Sequence, residues 1–118
     1  MVEFVGDAPE LKFSADVPGV SQGDIATSES VSVEIDGTAV RSFLYMPQNS
    51  SFVGTADAKP PLIVMSHGGP TAHSDPAFNL KKQFWTTRGF AVLDVNHRGS
   101  SGYGRAYRQL LDLSLIHI

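Results

Sequence analysis

His67-Gly68-Gly69-Pro70 directly follows the apolar run Leu62-Ile63-Val64-Met65, with only Ser66 between them. Glycines at the mouth of a strand let the backbone turn sharply and leave N–H groups without a Cβ over them. Fixed N–H groups of that kind hold the developing oxyanion in acyl-transfer chemistry. The same glycines also make an ordinary strand-to-helix turn, and on the dipeptide alone the turn is the favoured reading. A second glycine-rich stretch, Arg98-Gly-Ser-Ser-Gly-Tyr-Gly104, follows the apolar run Phe90–Val95. Its spacing is neither GxGxxG nor GxxxxGK[ST], and no lysine follows, so it reads as a structural turn and not a phosphate cradle. His67, His73 and Asp75 carry metal-ligating groups, but Pro70 interrupts any regular geometry and Asp75 suits a helix N-cap. No cofactor and no metal are expected. Lys81-Lys82 reads as a solvated helix face and Trp85 as core.

The elements that must position these loops follow from the pattern around them. Val31, Val33 and Ile35 alternate with Ser32, Glu34 and Asp36, the period of a half-buried strand. Asp36-Gly37 is a two-residue hairpin turn, and the return strand runs from Thr38 to Met46, pairing Ile35 with Thr38 and Val33 with Val40. Pro47–Pro61 is a loop. The unbroken run Leu62–Met65 predicts a strand buried on both faces, as in a parallel sheet. Asp75-Pro76 predicts a helix start, with Ala77, Leu80 and Phe84 on one face, Phe78 and Trp85 widening it, and Gly89 just past its end. Phe90–Val95 is the next strand, and another helix begins at Arg105. Strand, helix, strand with short links is a βαβ unit with parallel strands. The fold class is therefore α/β: an antiparallel hairpin leading into a βαβ unit of a doubly wound sheet. Both glycine loops leave the carboxyl ends of parallel strands, where open α/β sheets place their ligands.

Composition bounds what such a unit can be. The 118 residues carry a net charge of -3, which argues against a nucleic-acid-binding surface. The absence of cysteine removes disulfide scaffolds, thiol catalysis and cysteine-based zinc sites. No apolar run approaches the ~20 residues of a membrane-spanning helix. The start, MVEFVGDAPELK, lacks the basic and apolar regions of a signal peptide, so a cytoplasmic location is expected.

Given the hairpin, the strand before His67 is third in order, and in α/β-hydrolases the loop after the third strand donates an N–H to the oxyanion. On that order the oxyanion reading of His67, Gly68 and Gly69 overtakes the plain turn. The nucleophile is another matter. The fold requires G-x-S-x-G, then an acid, then a histidine. No G-x-S-x-G occurs; Ser66, Ser100 and Ser101 lack that setting. His67, His73 and His97 come too early to complete the order, and His117 has no elbow before it.

Pro61-Leu-Ile-Val-Met-Ser-His-Gly-Gly-Pro70, Phe84-Trp-Thr-Thr-Arg-Gly-Phe-Ala-Val-Leu-Asp-Val-Asn96 and Arg98-Gly-Ser-Ser-Gly-Tyr-Gly-Arg105 together resemble the prolyl oligopeptidase family. The nearest branch is that of acylaminoacyl peptidases and dipeptidyl aminopeptidase-like enzymes. The resemblance runs from about Val31 to Asp112. It implies a serine peptidase of short peptides, with a β-propeller ahead of an α/β-hydrolase domain. It implies that residues 1–29 are the linker after that propeller, and that residues 30–112 are the N-terminal half of the catalytic domain. His67–Pro70 would then be the oxyanion loop, with the Ser, Asp and His of the triad outside this chain. Residues 113–118, Leu-Ser-Leu-Ile-His-Ile, match nothing in the family and resemble translated adapter sequence, so they are expected to be a non-native tail on a gene-model fragment. An esterase fragment and a non-catalytic α/β interaction module are the alternatives. The oligomeric state is left open.

Overall fold

The computed structural model describes residues 2–5, 8–11, 19–55, 57–69 and 72–111, the first two stretches by backbone alone. The tail expected at 113–118 lies outside the described residues, as do residues 1, 6, 7 and 12–18 of the linker expected at 1–29. Strands β1 (Val2–Val5) and β2 (Ala8–Leu11) form an antiparallel pair of their own. Among the described residues the remaining strands make one mixed sheet: β3 (Ser28–Ile35), β4 (Thr38–Tyr45), β5 (Leu62–Ser66) and β6 (Ala91–Asn96), in the order β3-β4-β6-β5.

The hairpin forms with the expected register, Ile35 opposite Thr38 and Val33 opposite Val40. Its turn needs positive φ at both central residues, and Asp36 (φ 51°) and Gly37 (φ 72°) supply it. The strand begins at Ser28 instead of Val31, because Ala26 ahead of it is already buried in the core beside Tyr45 and Val92. β5 and β6 are parallel neighbours, as the βαβ reading required, with Val64 opposite Leu93.

The half-buried face read for β3 does not form, since Val33 and Ile35 are exposed. Two further expectations fail. The first concerns β5, read as buried on both faces. Leu62 and Val64 are 53% and 62% exposed, while Ile63 and Met65 pack against the core. β5 is the edge strand and only one of its faces is covered by described residues. The strand buried on both faces is β6, which pairs with β4 and β5.

The second concerns α1, which spans Leu80–Thr86 and does not start at Asp75-Pro76. Asn79 is the N-cap, its side chain accepting from the N–H groups of Lys81 (2.9 Å) and Lys82 (3.4 Å). Asp75 instead accepts from Ala77 N (3.0 Å), closing a local turn that competes with the helix. The face turned to the sheet is also different. Lys82, Gln83 and Thr86 are buried, whereas Phe78, Leu80 and Phe84 are exposed. Gln83 explains this orientation: its amide accepts from Ala26 N (2.8 Å) and donates to Ala26 O (3.0 Å), completing the backbone bonds of the segment entering β3. Lys82, read as solvated, is buried against Asp94, while Lys81 is exposed as expected. The end of α1 behaves as read. Phe90 N reaches Trp85 O, Gly89 N reaches Thr86 O, and Gly89 takes φ 87°. Helix α2 (Arg105–Gln109) starts where expected.

Candidate active site

The two glycine loops leave the carboxyl ends of β5 and β6, which are hydrogen-bonded neighbours, so the parallel pairing alone brings His67 and His97 together. Their rings stack with centroids 4.4 Å apart. His67 Nε2 lies 2.7 Å from Ser100 Oγ. The Ser100 hydroxyl donates its single hydrogen to His97 O (2.7 Å), so the bond to His67 is donated by Nε2–H. His67 Nδ1 is buried and has no partner among the described residues. His67 is thus a brace between the loops.

Further along, the same two loops are tied again. Ser101 N donates to Ala72 O (3.0 Å), and His73 Nδ1 lies 3.1 Å from Ser101 Oγ. The tightest tie is at Ser74. Asn96, fully buried, accepts from Ser74 N (2.7 Å) through Oδ1 and donates to Ser74 O (3.0 Å) through Nδ2. The same Nδ2 donates to Tyr103 OH (2.9 Å) in the second loop. Ser74 Oγ donates to Asp94 Oδ1 (2.7 Å).

Asp94 carries the main charge of the region. Lys82 Nζ sits 2.7 Å from Asp94 Oδ2, with both side chains more than nine-tenths buried, and also donates to Tyr45 OH (3.1 Å) and Asp75 O (3.2 Å). Burial works against the charge on Lys82, but the bonds to Asp94 and Tyr45 outweigh it and hold the ammonium above the ordinary lysine value. Tyr107 OH donates to Asn96 O (2.7 Å), and burial pushes its phenol up from the ordinary value.

Between the braced ends lie Gly68 and Gly69, both exposed. Neither N–H donates to a partner among the described residues. Gly69 has φ 77°, and a Cβ on either glycine would meet nothing within 4 Å. The loop therefore offers open backbone donors on a braced support, an arrangement that can stabilise a developing negative charge. The second loop is a turn. Ser100 N closes on His97 O (3.0 Å), Gly99 N donates to Tyr107 O (3.0 Å), and a Cβ on Gly99 (φ 96°) would run into the Leu111 side chain. Gly99→Ala is expected to lower stability by about 1–3 kcal/mol, read as a fall in denaturation midpoint; an unchanged midpoint would mean that the turn yields freely. No cluster of three His, Cys, Asp or Glu side chains that could hold a metal occurs among the described residues.

Comparison with known proteins places this geometry. The sequence pattern of the prolyl oligopeptidase family matches residues 76–115. The chain is similar to the prolyl oligopeptidase family over those residues. Dipeptidyl aminopeptidase BIII of Pseudoxanthomonas mexicana is 38% identical over 61% of this chain and 11% of its own length. The acylamino-acid-releasing enzyme of Sus scrofa is 37% identical over 62% of this chain and 9% of its own. A puromycin hydrolase mutant complexed with PGG superposes with a TM-score of 0.78 at 35% identity, over 87% of this chain and 16% of that one. The chain thus spans about a tenth of the curated relatives it matches. The described residues have the partial α/β-hydrolase fold read from the sequence.

Sequence reasoning singled out His67, Gly68 and Gly69, which do occupy one loop at the sheet end, but it missed the residues that hold that loop. Asp94 and Asn96 carried a usable signal, being polar at alternate positions of an otherwise apolar strand, Ala-Val-Leu-Asp-Val-Asn. Side chains buried in this way require partners.

Proposed function

We propose that this chain is the oxyanion-loop portion of a serine peptidase catalytic domain, in a longer protein that hydrolyses peptide bonds in short peptides. The observation that carries the reading is the pair of uncovered N–H groups at Gly68 and Gly69, set at the carboxyl end of a parallel strand and braced by His67 and Ser74. The Ser, Asp and His of the triad come from outside these residues, since no G-x-S-x-G stands in the sequence. The second oxyanion donor is the N–H beside that serine. The relatives point to release of an N-terminal dipeptide or an N-acylated residue. A β-propeller ahead of residues 1–29 screens access by substrate size, residues 1–29 being its linker, and the protein works in the cytoplasm.

A fluorophosphonate probe tests this at the nucleophile. The complete protein is expected to label stoichiometrically and to cleave a dipeptidyl or N-acyl-aminoacyl anilide. The 118-residue chain alone is expected to do neither, because labelling needs a serine activated by its base. Stoichiometric labelling of the chain alone would place the nucleophile within it. A complete protein inert to both probe and peptides would refute the peptidase reading.

A further inference from the structure

We infer that Asn96 is a positioning residue for hydrolysis, acting on the Gly68-Gly69 donors through Ser74; the inference rests on the oxyanion-loop reading above. Asn96 is the last residue of β6, the most enclosed strand of the sheet, and is fully buried. A buried primary amide must find partners for its carbonyl and its NH₂. Asn96 finds them in both loops at once. Its Oδ1 and Nδ2 grip the N–H and C=O of Ser74 like a second strand, and its remaining N–H reaches Tyr103 OH. This pattern fixes the amide orientation, since a flipped amide would set donor against donor at Ser74 N.

The consequence falls on the first loop. One end is continuous with β5 and is braced by His67 on Ser100. The other end is held twice, at Ala72 by Ser101 N and at Ser74, whose backbone hangs by both its N–H and its C=O on Asn96. Gly68 and Gly69 lie between these anchors with no backbone or side-chain bonds of their own among the described residues. Their N–H directions are therefore set by the anchors. Asp94 also holds Ser74, but through the hydroxyl only, and so leaves the backbone free to rotate. Asn96 touches no substrate in this scheme. Its loss loosens donors used mainly in the transition state, so the turnover falls while ground-state binding does not.

The test uses the complete protein and four variants: Asn96→Ala, Asn96→Asp, Tyr103→Phe and Gly69→Val. The readouts are kcat and KM for a peptide anilide, and inhibition constants for a peptide boronate and for a product peptide. The boronate forms a tetrahedral adduct that uses the oxyanion donors; the product peptide does not. Asn96→Ala is expected to lower kcat about 10- to 100-fold, to weaken the boronate in parallel, and to leave KM and product binding within about twofold. Asn96→Asp, nearly the same size but without the two Nδ2 donors, should fall with it. Should both fail to fold, Tyr103→Phe, which removes one bond of the clamp, is expected to lower kcat several-fold at constant KM.

A folded Asn96→Ala with normal kcat, or one in which KM and product binding rise while kcat holds, overturns the inference. So does an unchanged Tyr103→Phe when the Asn96 variants do not fold. Gly69→Val separates the two levels. If it retains normal kcat, the oxyanion reading falls and the clamp with it. If it collapses kcat while Asn96→Ala does not, only the clamp falls.

Discussion

Gly69→Val in the complete protein is expected to lower kcat by about 10²–10³-fold, the cost of losing one oxyanion donor, while the protein stays folded. The selectivity of the effect comes from the local geometry. Gly69 sits at φ 77°, and a Cβ there would meet nothing within 4 Å. Valine thus collides with no neighbour, but a β-branched residue does not tolerate the left-handed region, and the loop must rotate to relieve it. Rotation about that residue turns the N–H groups away from the position of the oxyanion. The global fold loses little, since the Gly68 and Gly69 N–H groups hold no described element together. Gly68 does not have a left-handed φ, and Gly68→Ala is therefore expected to cost less than Gly69→Ala. Near-normal kcat in a folded Gly69→Val would reduce the loop to a turn.

Lys82→Met is expected to be the most destabilising single substitution described here, costing about 3–5 kcal/mol by leaving a buried carboxylate without its cation. Lys82 and Asp94 are each more than nine-tenths buried and meet at 2.7 Å, between α1 and the sheet. Replacing both partners, Lys82→Met with Asp94→Leu, should recover much of the loss, because an apolar pair carries no desolvation penalty. Full recovery is not expected, since Ser74 Oγ then loses its acceptor. The ion pair also sets a pH dependence. The folded-state value of Lys82 is raised above the ordinary 10.5, so its contribution is complete below 10.5 and is lost as pH climbs through the raised value. The difference in denaturation free energy between wild type and Lys82→Met is therefore expected to stay constant from neutral pH to about 10.5 and to shrink above it. A difference near zero at neutral pH would show that the pair gives no more than its own desolvation removes.

Much of this arrangement was legible in the residues. Asp36-Gly37 and the alternation around it set the hairpin register, because a two-residue turn leaves no freedom in pairing. Gly89 and Arg88 marked the end of α1, and the strand-helix-strand pattern placed both glycine loops at one end of the sheet. What escaped was tertiary. The apolar side chains Leu80 and Phe84 suggested the buried face of α1, yet the bonds from Gln83 to Ala26 and from Lys82 to Asp94 turn the opposite face inward. Such pairs join residues 57 and 12 positions apart, and no local period encodes them. Leu62–Met65 likewise reads as a central strand from composition, but its exposure depends on which neighbours flank it, and β6 takes the inner position. The clamp at Asn96 was missed for a related reason: the partner is the backbone of Ser74, which any residue type could offer.

The most direct measurement is a crystal structure of the complete protein with a peptide boronate bound at its nucleophilic serine. The account predicts a boronate oxygen about 2.7–3.1 Å from a backbone N–H of Gly68 or Gly69, with Gly69 still in the left-handed region and Ser74 still held by Asn96. A boronate oxygen bound by other donors, with the Gly68 and Gly69 N–H groups turned away from it, would contradict the account.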